Sequence, residues 1–126
     1  MNAYAMKQYQ TVNVHAQVTE ASPHRLIQML LEGGLQRIAQ AKGAMQYGNL
    51  ALKGELIGKT VDIVEGLRGA IDVEKGGELA INLDNLYAFM LQRLGLANVR
   101  NDPAMLDEVA DLLRQVKEGW DNIRPA

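Results

Sequence analysis

Cysteine is missing from this chain of 126 residues. That absence excludes disulfides, thiolate metal sites and a cysteine nucleophile. Proline occurs only three times, and aromatic residues make up 5% of the chain. A sandwich or barrel would draw on more β-branched and aromatic runs, so a composition that is 48% hydrophobic yet this poor in aromatics points to helices. Basic character is lacking too: the formal net charge is −2 and no Lys/Arg cluster stands out, which leaves no electrostatic footprint for nucleic acid. The opening MNAYAMKQYQ has no apolar core of the signal-peptide kind. No later stretch approaches the ~20 apolar residues of a membrane span. The expectation is a cytoplasmic protein without membrane insertion, folded as one domain that needs no metal or disulfide support.

Catalytic constellations are lacking as well. His15 and His24, the two histidines, have no Glu or His partner three or four residues away on a core face, so the di-metal arrangement of helical bundles is missing. Ser22 beside His24 reads as a helix cap followed by a first-turn residue, not as a nucleophile and its base. Gly76 and Gly77 follow Lys75 without the spacing or preceding strand of a phosphate loop. Asp72, Glu74 and Glu78 lack the ligand spacing of a calcium loop. The residues predict no enzyme, no catalytic group, no metal and no cofactor.

What the sequence does contain is helical periodicity. Residues 1–20 are weakly patterned, with Met6, Tyr9 and Val12 at helical spacing, and read as a mobile or short-helical N-terminal arm. Residues 21–126 read as the bundle domain. Ser22 caps a helix that opens on Pro23 and runs to about Tyr47, with Leu26, Ile27, Leu30, Leu31, Ile38, Ala41 and Met45 on its apolar face. Gly34 falls within that face, where it would let another helix approach closely. Gly48 and Asn49 mark a stop and a restart.

The second helix spans roughly residues 50–70, with Leu52, Leu56, Ile57, Thr60, Val61, Ile63, Val64 and Leu67 towards the core. Its other side carries Gly54, Gly58, Gly66 and Gly69, a bare surface that is either glycine tolerated in a packed helix or a smooth wall for a bound chain. Asp102 and Pro103 repeat the cap-and-proline start for a last helix with Met105, Leu106, Val109, Leu112, Leu113, Val116, Trp120 and Ile123 on its face. Four amphipathic helices joined by short connections imply an all-α, antiparallel up-down four-helix bundle.

The stretch from Ile71 to Asp102 organises the rest. A turn at Gly76 and Gly77 precedes a helix whose seam reads Leu79, Leu83, Leu86, Met90, Leu94 and Ala97, with Tyr87 and Leu91 beside it. Ile81, Phe89 and Leu96 project from the opposite side, with Asn85 between the first two, and form a second ridge. Either neighbouring helices enclose that ridge, or it lines a groove that receives another polypeptide.

Four segments taken together carry a resemblance: ASPHRLIQMLLEGGL (21–35), GNLALKGELIGKTVDIVEGL (48–67), DVEKGGELAINLDNLYAFMLQRL (72–94) and ANVRNDPAMLDEV (97–109). In this order and spacing the chain resembles the flagellar secretion chaperones of the FliS family. That resemblance implies a helical bundle that binds the disordered C-terminal segment of flagellin in the cytosol. It also implies prevention of premature filament assembly and delivery to the gate of the flagellar type III export apparatus. Met6 and Tyr9 occupy the places of the arm residues that the family links to handover at the gate. Ile81, Asn85, Phe89, Leu96, Gly58 and Gly66 are the candidate client-binding residues. Leu31 and Phe89 stand where many relatives carry an aromatic residue and a tyrosine, changes expected to keep an apolar surface. A rival reading is a homo-oligomeric helical bundle with no flagellin client, and a weak homodimer is compatible with either.

Overall fold

The computed structural model describes residues 21–123; the arm, with Met6 and Tyr9, lies outside them. Each helix begins where side-chain chemistry satisfies its orphan amides. Ser22 Oγ accepts from the Arg25 amide at 3.1 Å and starts α1, Pro23–Gln46. Asn49 Oδ1 accepts from the Leu52 amide at 3.1 Å and starts α2, Leu50–Gly69. Asp72 Oδ1 accepts from the Lys75 amide at 3.1 Å and starts α3, Val73–Arg100. Asp102 Oδ1 accepts from the Ala104 amide at 2.9 Å and starts α4, Pro103–Asp121. These are the N-cap bonds that Ser, Asn and Asp make best. The reversals between helices use left-handed backbone at Gly48 (φ 73°) and Asn101 (φ 53°).

Packing closes the four helices into a ring, with α1 against α2 and α4, and α3 against the same two. The buried positions recur at spacings of three and four, apart from one step of seven on α3 that half-buried Leu83 bridges. They run Leu31, Gly34, Ile38, Ala41 and Met45 on α1; Lys53, Ile57, Thr60, Val64 and Leu67 on α2. On α3 they are Ala80, Tyr87, Met90, Leu94 and Ala97, and on α4 Leu106, Val109 and Leu113. This spacing keeps each seam facing the centre of an up-down bundle. The all-α bundle expected from periodicity is the architecture found. Gly34 has the expected role: a Cβ there would lie 3.3 Å from a Leu113 methyl and 3.5 Å from an Ile63 methyl.

Four seam assignments differ: Leu26 (37% exposed) and Ile123 (52%) lie at the margins of their helices' apolar faces, and Leu79 and Leu52 turn outward. Leu79 is 76% exposed, because the α3 seam runs through Ala80 at that turn, whereas Leu83 and Leu86 pack against the core as expected. Leu52 is 41% exposed, because Lys53 takes the seam position beside it. The Lys53 stem is buried, and its ammonium donates to the Asn98 carbonyl at 3.0 Å, near the negative end of the α3 dipole. Leu31 is fully buried, so it contributes to the core and not to an apolar surface.

The helix break falls at one residue. Gly77 sits at φ 59°, ψ −137°, inside α3 rather than ahead of it. Connection length explains why the chain must bend there. Arg68 Nε donates to Asp84 Oδ1 at 2.7 Å, and with the Lys53–Asn98 contact this sets residues 68 and 84 at about the same level. A straight α3 would carry Val73 about 16 Å past that level at ~1.5 Å per residue. With ~8–10 Å between packed axes, Gly69 would then be farther from Val73 than the ~14 Å that four extended residues span. The first turn of α3 therefore folds back over the end of the bundle. Gly76 must be glycine for the same fold-back: a Cβ there would lie 2.5 Å from the Ala80 Cβ.

Candidate functional site

From Ile81 to Val99 the outward side of α3 presents Ile81, Asn85, Phe89, Gln92, Leu96 and Val99. Ile81 is 48% exposed and Phe89 39%, while Leu96 is half-buried. At ~1.5 Å per residue this stripe is about 27 Å long. Only two charged residues, Asp84 and Arg93, fall within it, and both are drawn sideways to neighbouring helices. Asp84 takes two hydrogen bonds from Arg68 of α2, at 2.7 and 3.3 Å, which hold its carboxyl below the usual carboxylate range. Arg93 pairs with Glu108 of α4 at 3.3 Å, and its guanidinium carbon lies 5.2 Å from the centre of the Phe89 ring. Asp84 is drawn off the stripe and Arg93 flanks the Phe89 ring as one partner of an ion pair, so the stripe itself is built of apolar and amide side chains.

The α2 glycines are open: a Cβ at Gly54, Gly58, Gly66 or Gly69 would meet nothing within 4 Å. They do not form one wall. At about 100° per residue, Gly54 and Gly58 lie towards the α3 side marked by Arg68. Gly66 is rotated about 80° from Gly58, towards the α1 side marked by Ile63. Gly58 is thus turned more towards the α3 side of α2 than Gly66 is.

A different recess forms at the end of the bundle where α1 and α3 begin and α2 and α4 end. It has a volume of about 390 Å³, and Ile27, Leu67, Leu83, Tyr87, Val116 and Trp120 are among its walls. The Trp120 wall is pinned by a reciprocal clasp. Trp120 Nε1 donates to the His24 carbonyl at 2.9 Å, and His24 Nε2 lies 3.0 Å from the Trp120 carbonyl. The two rings stack with centroids 5.0 Å apart. Beside them Gln28 donates to Asp121 at 2.9 Å. Lys117 donates to Asp121 at 2.6 Å, the largest of the interactions that lower the Asp121 carboxyl below its usual range. Tyr87 is 2% exposed, and burial pushes its phenol up to about 12.

Among the described residues, no group of three or more His, Asp or Glu side chains is placed to hold a metal ion. No helix there is long and apolar enough to cross a membrane.

The family model for the flagellar protein FliS matches residues 5–126. The chain belongs to the FliS family. Flagellar secretion chaperone FliSB of Pseudomonas aeruginosa is 59% identical over 119 residues, covering 94% of each chain. Flagellar secretion chaperone FliS of Vibrio cholerae is 46% identical, covering 96% of this chain and 89% of the relative. The Salmonella typhimurium chaperone of the same name is 41% identical, covering 98% and 92%.

Among the candidate residues of this FliS-family chain, the structure brings Ile81, Asn85, Phe89 and Leu96 onto one outward stripe, while Gly58 lies exposed on α2. Gly66 falls apart from them. The end recess escaped the sequence reading because its walls come from four helix termini, and no single segment's periodicity records it. One signal was available, the pairing of a histidine in the first turn of the first helix with a tryptophan in the last turn of the last.

Proposed function

We propose that this chain is a cytosolic export chaperone whose client is the disordered C-terminal segment of flagellin. The carrying observation is the stripe of apolar and amide side chains on α3, about 27 Å long at ~1.5 Å per residue, whose two neighbouring charges are paired with α2 and α4. Such a stripe suits the apolar face of an amphipathic segment laid along it, with side chains at helical spacing as anchors. A client threaded through a narrow export channel must stay unfolded while its sticky faces are covered. The names of the relatives, flagellar secretion chaperones, support the same reading. No catalytic step belongs to it, because handover at the export gate can drive release. In this proposal Met6 and Tyr9 of the arm serve that handover.

Calorimetric titration with a synthetic flagellin C-terminal peptide tests the reading. Phe89→Asp, which places a charge on the stripe, is expected to weaken binding at least tenfold while leaving helicity intact. Leu94→Asp, at a fully buried position, is expected to unfold the bundle instead. If Phe89→Asp melts the protein as Leu94→Asp does, the stripe is core and the assignment fails. A stable homodimer indifferent to peptide, seen by light scattering, would establish the rival homo-oligomer.

A further inference from the structure

We infer that the turn of helix opening α3, residues 72–76, is a strap that closes the end of the bundle by rolling its apolar side inward. The inference stands on the fold alone and does not depend on the flagellin reading. Ile71, packed against the core, bounds the strap on one side. Gly77 bounds it on the other, where φ 59°, ψ −137° breaks the helix.

The strap presents the wrong side to what lies beneath it. Asp72, Lys75 and Gly76 line the recess, facing Leu67, Leu83, Tyr87 and Trp120. A carboxylate, a lysine and a bare glycine therefore roof an apolar hollow, while Val73 lies 45% exposed and is not among its walls. At about 100° per residue, Val73 sits roughly 160° around the strap from Lys75, so a half-turn exchanges the two. That roll carries a valine out of water and returns an ammonium to it, both in the direction that hydrophobic burial favours. The hollow, about 390 Å³, admits a valine side chain without displacing the core.

The strap is also free to turn. Among the described residues, no side chain from 72 to 78 makes a hydrogen bond or an ion pair to α1, α2 or α4. Its own bonds are internal and travel with it: Asp72 Oδ1 accepts from the Lys75 amide at 3.1 Å, and the Asp72 carbonyl accepts from the Gly76 amide at 2.8 Å. Gly77 supplies the hinge, in backbone that side-chain-bearing residues rarely adopt. Gly76 supplies the bearing, since it lies against the Ala80 methyl with no side chain of its own. A closed strap covers the apolar end of the bundle with the chain itself and withdraws that surface from other apolar partners.

Trp120, the single tryptophan of the chain, faces the strap across the hollow and reports on its closing. The test is nuclear magnetic relaxation dispersion on the isotopically labelled full chain. The expected result is exchange on the μs–ms scale at the strap amides and at the Trp120 indole, with one shared rate. Val73→Asp should abolish the exchange at both, because a carboxylate does not enter the hollow. The variant should still fold, since an acidic residue suits the first turn of a helix, and circular dichroism checks its helicity. Val73→Leu adds one methylene to the side chain that is buried on closing, and should raise the closed population relative to the open one about fourfold. Exchange at the strap amides with the Trp120 indole quiet, or exchange unchanged in Val73→Asp, is simple fraying and overturns the strap. Absence of exchange at both probes overturns it as well.

Discussion

At the scale of single residues, Tyr87 couples the fold to pH most clearly. Its phenol is raised from the ordinary 10.0 to about 12 because burial penalises the phenolate. The folded state therefore binds this proton more tightly than the unfolded chain does. The contribution is fully present below pH 10 and is lost as pH rises through 12, amounting to about 2–3 kcal/mol. Urea unfolding at stepped alkaline pH should show this fall in the unaltered chain and a shallower one in Tyr87→Phe; parallel curves would show that the phenol ionises without cost. Lys53 makes the opposite kind of contribution, a buried cation held by one carbonyl at 3.0 Å. Lys53→Met keeps the stem but removes the donor, and should lower stability by about 1–3 kcal/mol in the same assay, since the Asn98 carbonyl loses its partner.

Elements divide the glycines by what the backbone asks of them. Gly77 holds φ 59°, ψ −137°, a conformation that side-chain-bearing residues rarely adopt, because the short connection forces α3 to fold back there. Gly77→Ala should therefore destabilise by about 1–3 kcal/mol. Gly58→Ala and Gly66→Ala sit in regular helix with open space around them and should each stabilise by roughly 0.5–1 kcal/mol. Thermal unfolding of the three variants checks the contrast in sign. The phase error on α3 has a related origin. Leu79 looked like seam because leucine at a spacing of four from Leu83 is the usual signal, but the helix restarts after Gly77 with Ala80 packed against Gly76. Which of two adjacent apolar residues turns inward was settled by a contact that no hydropathy pattern contains. Three of the four caps were legible: Ser22, Asn49 and Asp102 act through amides two or three positions on, whereas Asp72 was hidden by the Gly76–Gly77 break that follows it. The outward stripe was half legible. Ile81, Phe89 and Leu96 could be read from spacing, whereas the sideways pairing of Asp84 and Arg93 depends on which residues α2 and α4 bring alongside.

At the scale of the molecule, the His24–Trp120 clasp brings the first turn of α1 and the last turn of α4 to the same pole. The loop at Tyr47–Gly48–Asn49 lies at the other pole, where Tyr47 is 91% exposed. A tag or tether attached at residue 21 or residue 123 would thus emerge beside the recess and crowd it. A circular permutant offers the way round. Linking residue 123 to residue 21 with a short flexible segment and reopening the chain between Gly48 and Asn49 cuts a surface turn instead of a helix. Such a permutant should fold with nearly unchanged helicity, and a label on its new ends would leave the recess clear. A permutant that fails to fold would show that the turn at Gly48 is needed to align α1 with α2 before the ring can close.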